Sequence, residues 1–239
     1  MDEELRELLT RPEVGHALDA LNALYNEVPR TVCEECGECC YLTEEEMEKE
    51  IAVMFPLYSI EYINIAHHLS LHFSEIDQKK FFDVVQERPT ICPFLDSDRK
   101  RCRIYAARPL VCRSYGVLSH EKIGWVVDRY RGIVPQGWLR TFAVIESSCV
   151  CPKVSVVEPL KLDLHIERLV LAEYTRKLTE LSWVIDFIGH RKWKVVEKVL
   201  GVPRIVRWTW GGFNFLRYRS EVWVEKHWKT FLGKARLAG

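Results

Sequence analysis

Four of the chain's nine cysteines fall within eight positions, in the stretch CEECGECC. They are Cys33, Cys36, Cys39 and Cys40, the last two adjacent; the others are Cys92, Cys102, Cys112, Cys149 and Cys151. Thiolates are soft ligands that select zinc, Cu(I) or iron–sulfur clusters. The two-residue gap between Cys33 and Cys36 lets both sulfurs reach one tetrahedral ion. The C-x2-C-x2-C opening also matches the start of a ferredoxin-type run, and Cys40 then departs from it by following Cys39 directly. Neighbouring side chains diverge, so Cys39 and Cys40 are expected to serve two sites, or different metals of one cluster. Eight of the nine thiols then fill two four-thiolate sites. The ninth, one of Cys149 and Cys151, is spare or a ligand of exchange.

Disulfides fit these residues less well. Adjacent cysteines bond poorly to each other, and the count is odd. The N-terminal MDEELRELLTRP is acidic and amphipathic, without the basic start and apolar core of a secretion signal. No stretch reaches the apolar length of a membrane span. The sequence therefore points to a cytoplasmic, reducing setting in which thiols stay available to metal.

A zinc ion or an oxidised 4Fe–4S core with four thiolates carries two net negative charges, which need compensation when buried. The segment 92–113 supplies Arg99, Lys100, Arg101, Arg103, Arg108 and Arg113 against Asp96 and Asp98. A nucleic-acid patch is one reading of such a run. Arg108 and Arg113 flank Cys112, and the preferred reading is that they neutralise and hydrogen-bond the metal–thiolate centre. Lys100 and Arg101 sit in a turn and are expected to be solvated.

The elements that must position these thiols are mainly helical. Leu5, Leu8 and Leu9, then Val14, Leu18, Leu21 and Leu24, form a stripe of helical period over 2–26, interrupted at Pro12. Thr43 and Glu46 make a capping-box pattern that opens a helix. A further helix covers about 60–86, with Ile63, Ile65, Ala66, Leu69 and Phe73 on its apolar side. ICPFLD and RCRIYA flank a polar DSDRK turn and predict a hairpin bringing Cys92 and Cys102 together. Arg108-Pro109 suits the start of a short helix carrying Cys112. Residues 122–145 read as irregular or short strands. A long helical stripe follows from about 160 to Ile185, then helices at 191–200 and about 218–232. The expected fold is mainly α with a small irregular β hairpin, organised around metal. Its parts are an N-terminal helical segment (1–30), a cysteine-cluster domain (31–155) and a basic, Trp-rich helical unit (156–239). Residues 1–152 hold 17 basic and 25 acidic residues, a net of −8, and residues 153–239 hold 17 and 9, a net of +8. Two units of opposite charge are suited to dock on each other.

CEECGECC, CPFLD and CRIYAARPLVCRSY together resemble the YkgJ-type cysteine-cluster family, whose domain is described as zinc- or iron-chelating. The resemblance runs from about residue 33 to 116 and more loosely to Cys151. It implies metal ligation by Cys33, Cys36, Cys39, Cys40, Cys92, Cys102 and Cys112, with an eighth ligand at Cys149 or Cys151. An iron–sulfur cluster is the common expectation. A related domain occurs in flagellin lysine methylases, but this sequence has no convincing Gly-rich loop for S-adenosylmethionine, and that activity is not carried over.

Two further signals stand apart. In IAHHLSLHF, His68 and His72 lie at i and i+4 on one helical face, but Leu69 occupies the position of the Glu in a metalloprotease HExxH. Ordinary surface or packed histidines are the favoured reading. The tail carries Trp183, Trp193, Trp208, Trp210, Trp223 and Trp228 among its basic residues. Such helices can lie on membranes or stack on nucleic acid, and packing against the acidic half is favoured. The sequence thus predicts a cytosolic protein holding an iron–sulfur cluster, with a redox or protein-modifying role toward a protein partner or substrate. The alternatives are a structural module with two zinc ions that binds protein or nucleic acid, and metal storage or delivery.

Overall fold

The computed structural model describes residues 3–34, 36–41, 58–82, 91–96, 98–136, 139 and 150–184. Helices predominate, with two small two-stranded antiparallel sheets. Helix α1 (Glu3–Leu9) and α2 (Pro12–Tyr25) divide at the proline, as the sequence requires. Pro12 lacks an N–H, and the first turn of a helix does not need one. Val14, Ala17, Leu18, Leu21 and Leu24 line the buried stripe of α2.

The expected helix over 60–86 is two: α3 (Ser59–His72) and α4 (Glu75–Phe82). Ser74 separates them, because its hydroxyl accepts from the N–H of Asp77 and caps the second helix. The hairpin forms as predicted from β2 (Leu95–Asp96) and β3 (Arg101–Cys102), with Leu95 opposite Cys102. A short helix, α5 (Leu110–Ser114), carries Cys112 and starts directly after Pro109.

The reading of 122–145 as irregular or strand is corrected over its first part. His120–Tyr130 is a helix, α6. Ser119 caps it by accepting from the N–H of Lys122, and Ile123, Val126 and Tyr130 recur at helical spacing on its buried side. Gly124 and the β-branched pair Val126–Val127 disguise that period with weak helix formers. Likewise the stripe after 160 is broken into α7 (Leu162–Val170) and α8 (Glu173–Leu181), because Ala172 turns to φ +56° between them.

The sequence reading contains no strand near residue 155. In the structure β1 (Thr31–Cys33) pairs with β4 (Val154–Val156), setting Cys33 opposite Val154. Strands of three residues carry too little alternation to be read from sequence alone.

The main core joins α1, α2, α3 and α8 and includes Leu8, Leu21, Ile63, Leu69, Tyr174 and Leu178, all essentially inaccessible to water. A second cluster lies between α6 and α7, built on Ile123, Val126, Ile166 and Val170. Among the described residues no helix is long and apolar enough to cross a membrane. The helices expected to start at Thr43 and to cover 191–200 and 218–232, and the tryptophans from Trp193 onward, lie outside the described residues.

Candidate metal centre

The cysteines are brought together by backbone contacts between distant segments. The Cys92 N–H donates to the carbonyl of Cys40 at 2.8 Å, and the Leu95 N–H donates to the carbonyl of Cys92 at 3.0 Å. The hairpin register then places Cys102 across from Leu95. On the other side, β1–β4 pairing carries Cys151 toward Cys33, and the Glu34 N–H donates to the Lys153 carbonyl. The Lys153 ammonium also pairs with the Glu38 carboxylate, fastening the strand to the CEECGECC loop.

Two glycines permit the close approach. Gly37 has φ +73°, and a Cβ there would lie 2.8 Å from both Leu95 Cδ1 and the Lys100 carbonyl oxygen. Gly116 has φ +74°, and its Cβ would meet Val154 Cγ2 at 2.8 Å and Cys151 Cβ at 3.0 Å. The first packs the loop against the hairpin. The second packs the chain after α5 against the segment that bears Cys151. Side chains larger than hydrogen fit neither the backbone nor the space.

The thiols divide into two groups by their electrostatic neighbours. Cys151 feels Cys33, Cys36 and Cys39. Cys112 feels Cys102 and Cys40 most strongly, and Cys39 less, while Cys40 feels Cys92 and Cys102. The groups meet at the adjacent pair. Cys39 hydrogen-bonds Cys40, which also hydrogen-bonds Cys92. Of the two candidates for the eighth position, Cys151 lies beside the first group, and Cys149 lies outside the described residues.

The surroundings of Cys39, Cys40, Cys112 and Cys151 favour the protonated thiol in the absence of a cation. Cys39 is raised by its hydrogen bond to Cys40, then by burial and the charge of Cys40. On Cys40 the bond with Cys39 lowers the pKa, but the bond with Cys92, burial, and the charges of Cys92 and Cys102 outweigh it. Burial is the first cause for Cys112 and for Cys151, and neighbouring cysteines add to it. Among the described residues no three donors are drawn together tightly enough to enclose an ion. A bound cation reverses this electrostatic balance, because it favours the thiolate that each neighbour disfavours. Donor type therefore fits a thiophilic metal.

The two arginines differ. Arg108 lowers the pKa of both Cys39 and Cys112, so its charge reaches the thiols. It lies over the Tyr105 ring, with its carbon 3.4 Å from the centroid. Arg113 is spent on the backbone: Nε donates to the Arg108 carbonyl at 2.8 Å, and a terminal nitrogen donates to the Ala106 carbonyl. It braces the 3-10 turn Tyr105–Ala107 against α5 and covers the Tyr25 ring.

Sequence reasoning missed Glu61. Its buried carboxylate accepts from the Leu110 N–H at 2.7 Å, the Tyr25 hydroxyl at 3.0 Å and the Tyr58 N–H at 3.1 Å. It thereby ties α2, α3 and the first residue of α5, the helix that carries Cys112. Desolvation raises its pKa to about 7, against the pull of these three donors and Arg113. The available signal was an acid in line with Ile65 and Leu69, at the i, i+4, i+8 positions of an apolar stripe. His68 and His72 do share one face of α3, with ring centroids 4.5 Å apart. Burial, then His72 and His67, lower the pKa of His68.

This arrangement of cysteines has relatives. Residues 32–129 match the CxxCxxCC family. Its model is described as "Putative zinc- or iron-chelating domain". The CxxCxxCC match takes in every cysteine from Cys33 to Cys112 and stops short of Cys151, which the β1–β4 pairing adds. An "Uncharacterized protein" of Methanocaldococcus jannaschii is 31% identical over 90 residues, covering 34% of this chain and 41% of that protein. The chain thus spans less than half the length of this relative. No solved structure matches the chain.

Proposed function

We propose that this chain is a metal-binding protein with two four-thiolate sets, Cys33/Cys36/Cys39/Cys151 and Cys40/Cys92/Cys102/Cys112. The observation that carries the proposal is the division of the thiols into two groups that meet at Cys39–Cys40. One peptide bond joins the sets, and each draws its ligands from separate parts of the chain. Iron–sulfur chemistry is the first reading. It is supported by the C-x2-C-x2-C opening, by a donor set of thiols alone, and by the Arg108 charge beside Cys39 and Cys112. Such a centre supplies one-electron chemistry when bound. The protein's own part is to hold thiolates, compensate their charge through Arg108 and fix α5 through Glu61. The resulting role is redox, toward a protein partner or substrate.

A second reading is favoured by the same division into fours. Four thiolates complete a tetrahedral zinc shell and leave no open position, so two zinc ions would make the centre a structural staple. Metal and acid-labile sulfide analysis with a visible spectrum, on protein purified without oxygen, decides between them. Iron with sulfide and a brown absorbance supports the redox reading. Two zinc ions per chain, no sulfide and no colour would replace it with the structural one.

A further inference from the structure

Helix α3 carries a second group of metal-type donors at the end remote from Glu61. His68 and His72 lie about one turn apart on the same face, the spacing at which helical side chains meet. Their ring centroids are 4.5 Å apart with the planes tilted by 47°. A metal–nitrogen bond of about 2.1 Å, plus about 1.1 Å from nitrogen to ring centre, places each centroid about 3.2 Å from a shared ion. Two imidazoles at a right angle, as around a square-planar or octahedral ion, then have centroids about 4.5 Å apart, against about 5.2 Å at the tetrahedral angle. The observed separation matches that of a right-angled chelating pair.

His68 is also held in place. It is half-buried, and its ring meets the edge of Phe73 at 6.1 Å. Phe73 in turn packs edge-on against Phe81 at 5.6 Å. His72 is exposed, so solvent reaches the pair. A fixed inner ligand with an exposed partner costs little ordering on binding. His67 is exposed and adjacent in sequence, and it points about 100° around the helix from His68.

We propose that His68 and His72 form a separate metal site on α3, taking one borderline divalent cation of the nickel type through two imidazole nitrogens. The remaining positions stay open to water or to a ligand from another molecule. The site lies about two to three turns along α3 from Glu61 and does not depend on what the cysteines hold. Imidazole suits such ions, and two on one face bind as a chelate.

Titration of Ni(II) into the purified, cysteine-loaded protein tests this, with His68→Gln, His72→Gln and His67→Gln alongside. Calorimetry should show one nickel per chain without the intense absorption of a nickel–thiolate bond. Loss of either chelating imidazole should weaken that event by about tenfold or more, since the second contact is intramolecular, while His67→Gln should leave it unchanged. The exposed His72 can be replaced without disturbing the core, and an unchanged circular-dichroism melt checks this. The assignment is overturned if wild-type protein shows no such event, if His72→Gln keeps it, if His67→Gln loses it equally, or if the bound nickel absorbs as a thiolate complex.

Discussion

Cys39 and Cys40 are one peptide apart, yet they face different neighbours. Cys40 and its group sit against the hairpin and α5, whereas Cys151 approaches from β4. This asymmetry makes a prediction about the two late cysteines. If the proposed sets hold, Cys151→Ser should lose about half of the bound metal, because one of two four-thiolate sets would be incomplete. Cys149→Ser should keep the full content. Elemental analysis of both variants, purified without oxygen, checks this, and the reverse pattern would put Cys149 in the centre. Arg108 and Arg113 look equivalent in sequence, since both flank Cys112. They separate only in the fold: Arg108 makes one bond to the Tyr105 carbonyl and its charge reaches Cys39 and Cys112, whereas Arg113 is tied to the Arg108 and Ala106 carbonyls and lies beside Cys112 alone among the described thiols. Arg108→Gln should therefore alter the spectrum or redox behaviour of the bound centre, while Arg113→Gln should chiefly lower the melting temperature.

Between elements, the decisive contacts run through glycine and backbone. Gly37→Ala forces a side chain into the left-handed region, at about 1–2 kcal/mol, and into the Lys100 carbonyl at 2.8 Å. The loop must then move off the hairpin, so both stability and metal content should fall. Gly15, inside α2, has nothing within 4 Å of a built Cβ. Gly15→Ala should stabilise by up to about 1 kcal/mol through helix propensity, with metal content unchanged. Urea unfolding and metal analysis on the pair separate loop geometry from general stability. The same contrast explains what the sequence could reveal. Helices α2 and α3 declare themselves because Leu21, Leu24, Ile65 and Leu69 recur at helical period. The hairpin around DSDRK declares itself by its turn. The β1–β4 pairing does not, since its register depends on contacts across some 120 residues, not on any local pattern. Glu61 was hidden for a related reason: its partners Tyr25 and Leu110 come from other elements.

Across the whole molecule, two fully buried ionisable groups act on stability in opposite directions. Glu61 has a folded pKa of about 7 against 4.5 for the free side chain, because desolvation outweighs its donors. The folded state therefore binds the extra proton between these values. Its contribution is fully present below pH 4.5 and is lost as pH rises through 7. His165 has a folded pKa of about 4 against 6.5, first through burial and then through Arg168. Its Nδ1 lies 2.9 Å from the Tyr174 hydroxyl, and Nε2 is buried with no partner among the described residues. Here the unfolded state binds the extra proton, so this contribution is present above pH 6.5 and is lost as pH falls through 4. Each effect is on the order of 3 kcal/mol, and their windows overlap between pH 4.5 and 6.5. The two slopes nearly cancel there, which masks both groups in wild-type protein. Single substitutions unmask them. Relative to wild type, Glu61→Gln should gain stability as pH rises from 4.5 to 7, and His165→Gln should lose it as pH rises from 4 to 6.5. Urea unfolding across this range gives each difference directly, and referencing each variant to wild type cancels the proton release that accompanies metal binding. A flat difference for Glu61→Gln would mean that its three donors hold the carboxylate ionised throughout. The Tyr25–Glu61–Leu110 junction would then be a charged one at every working pH, with the Arg113 guanidinium as its counter-charge.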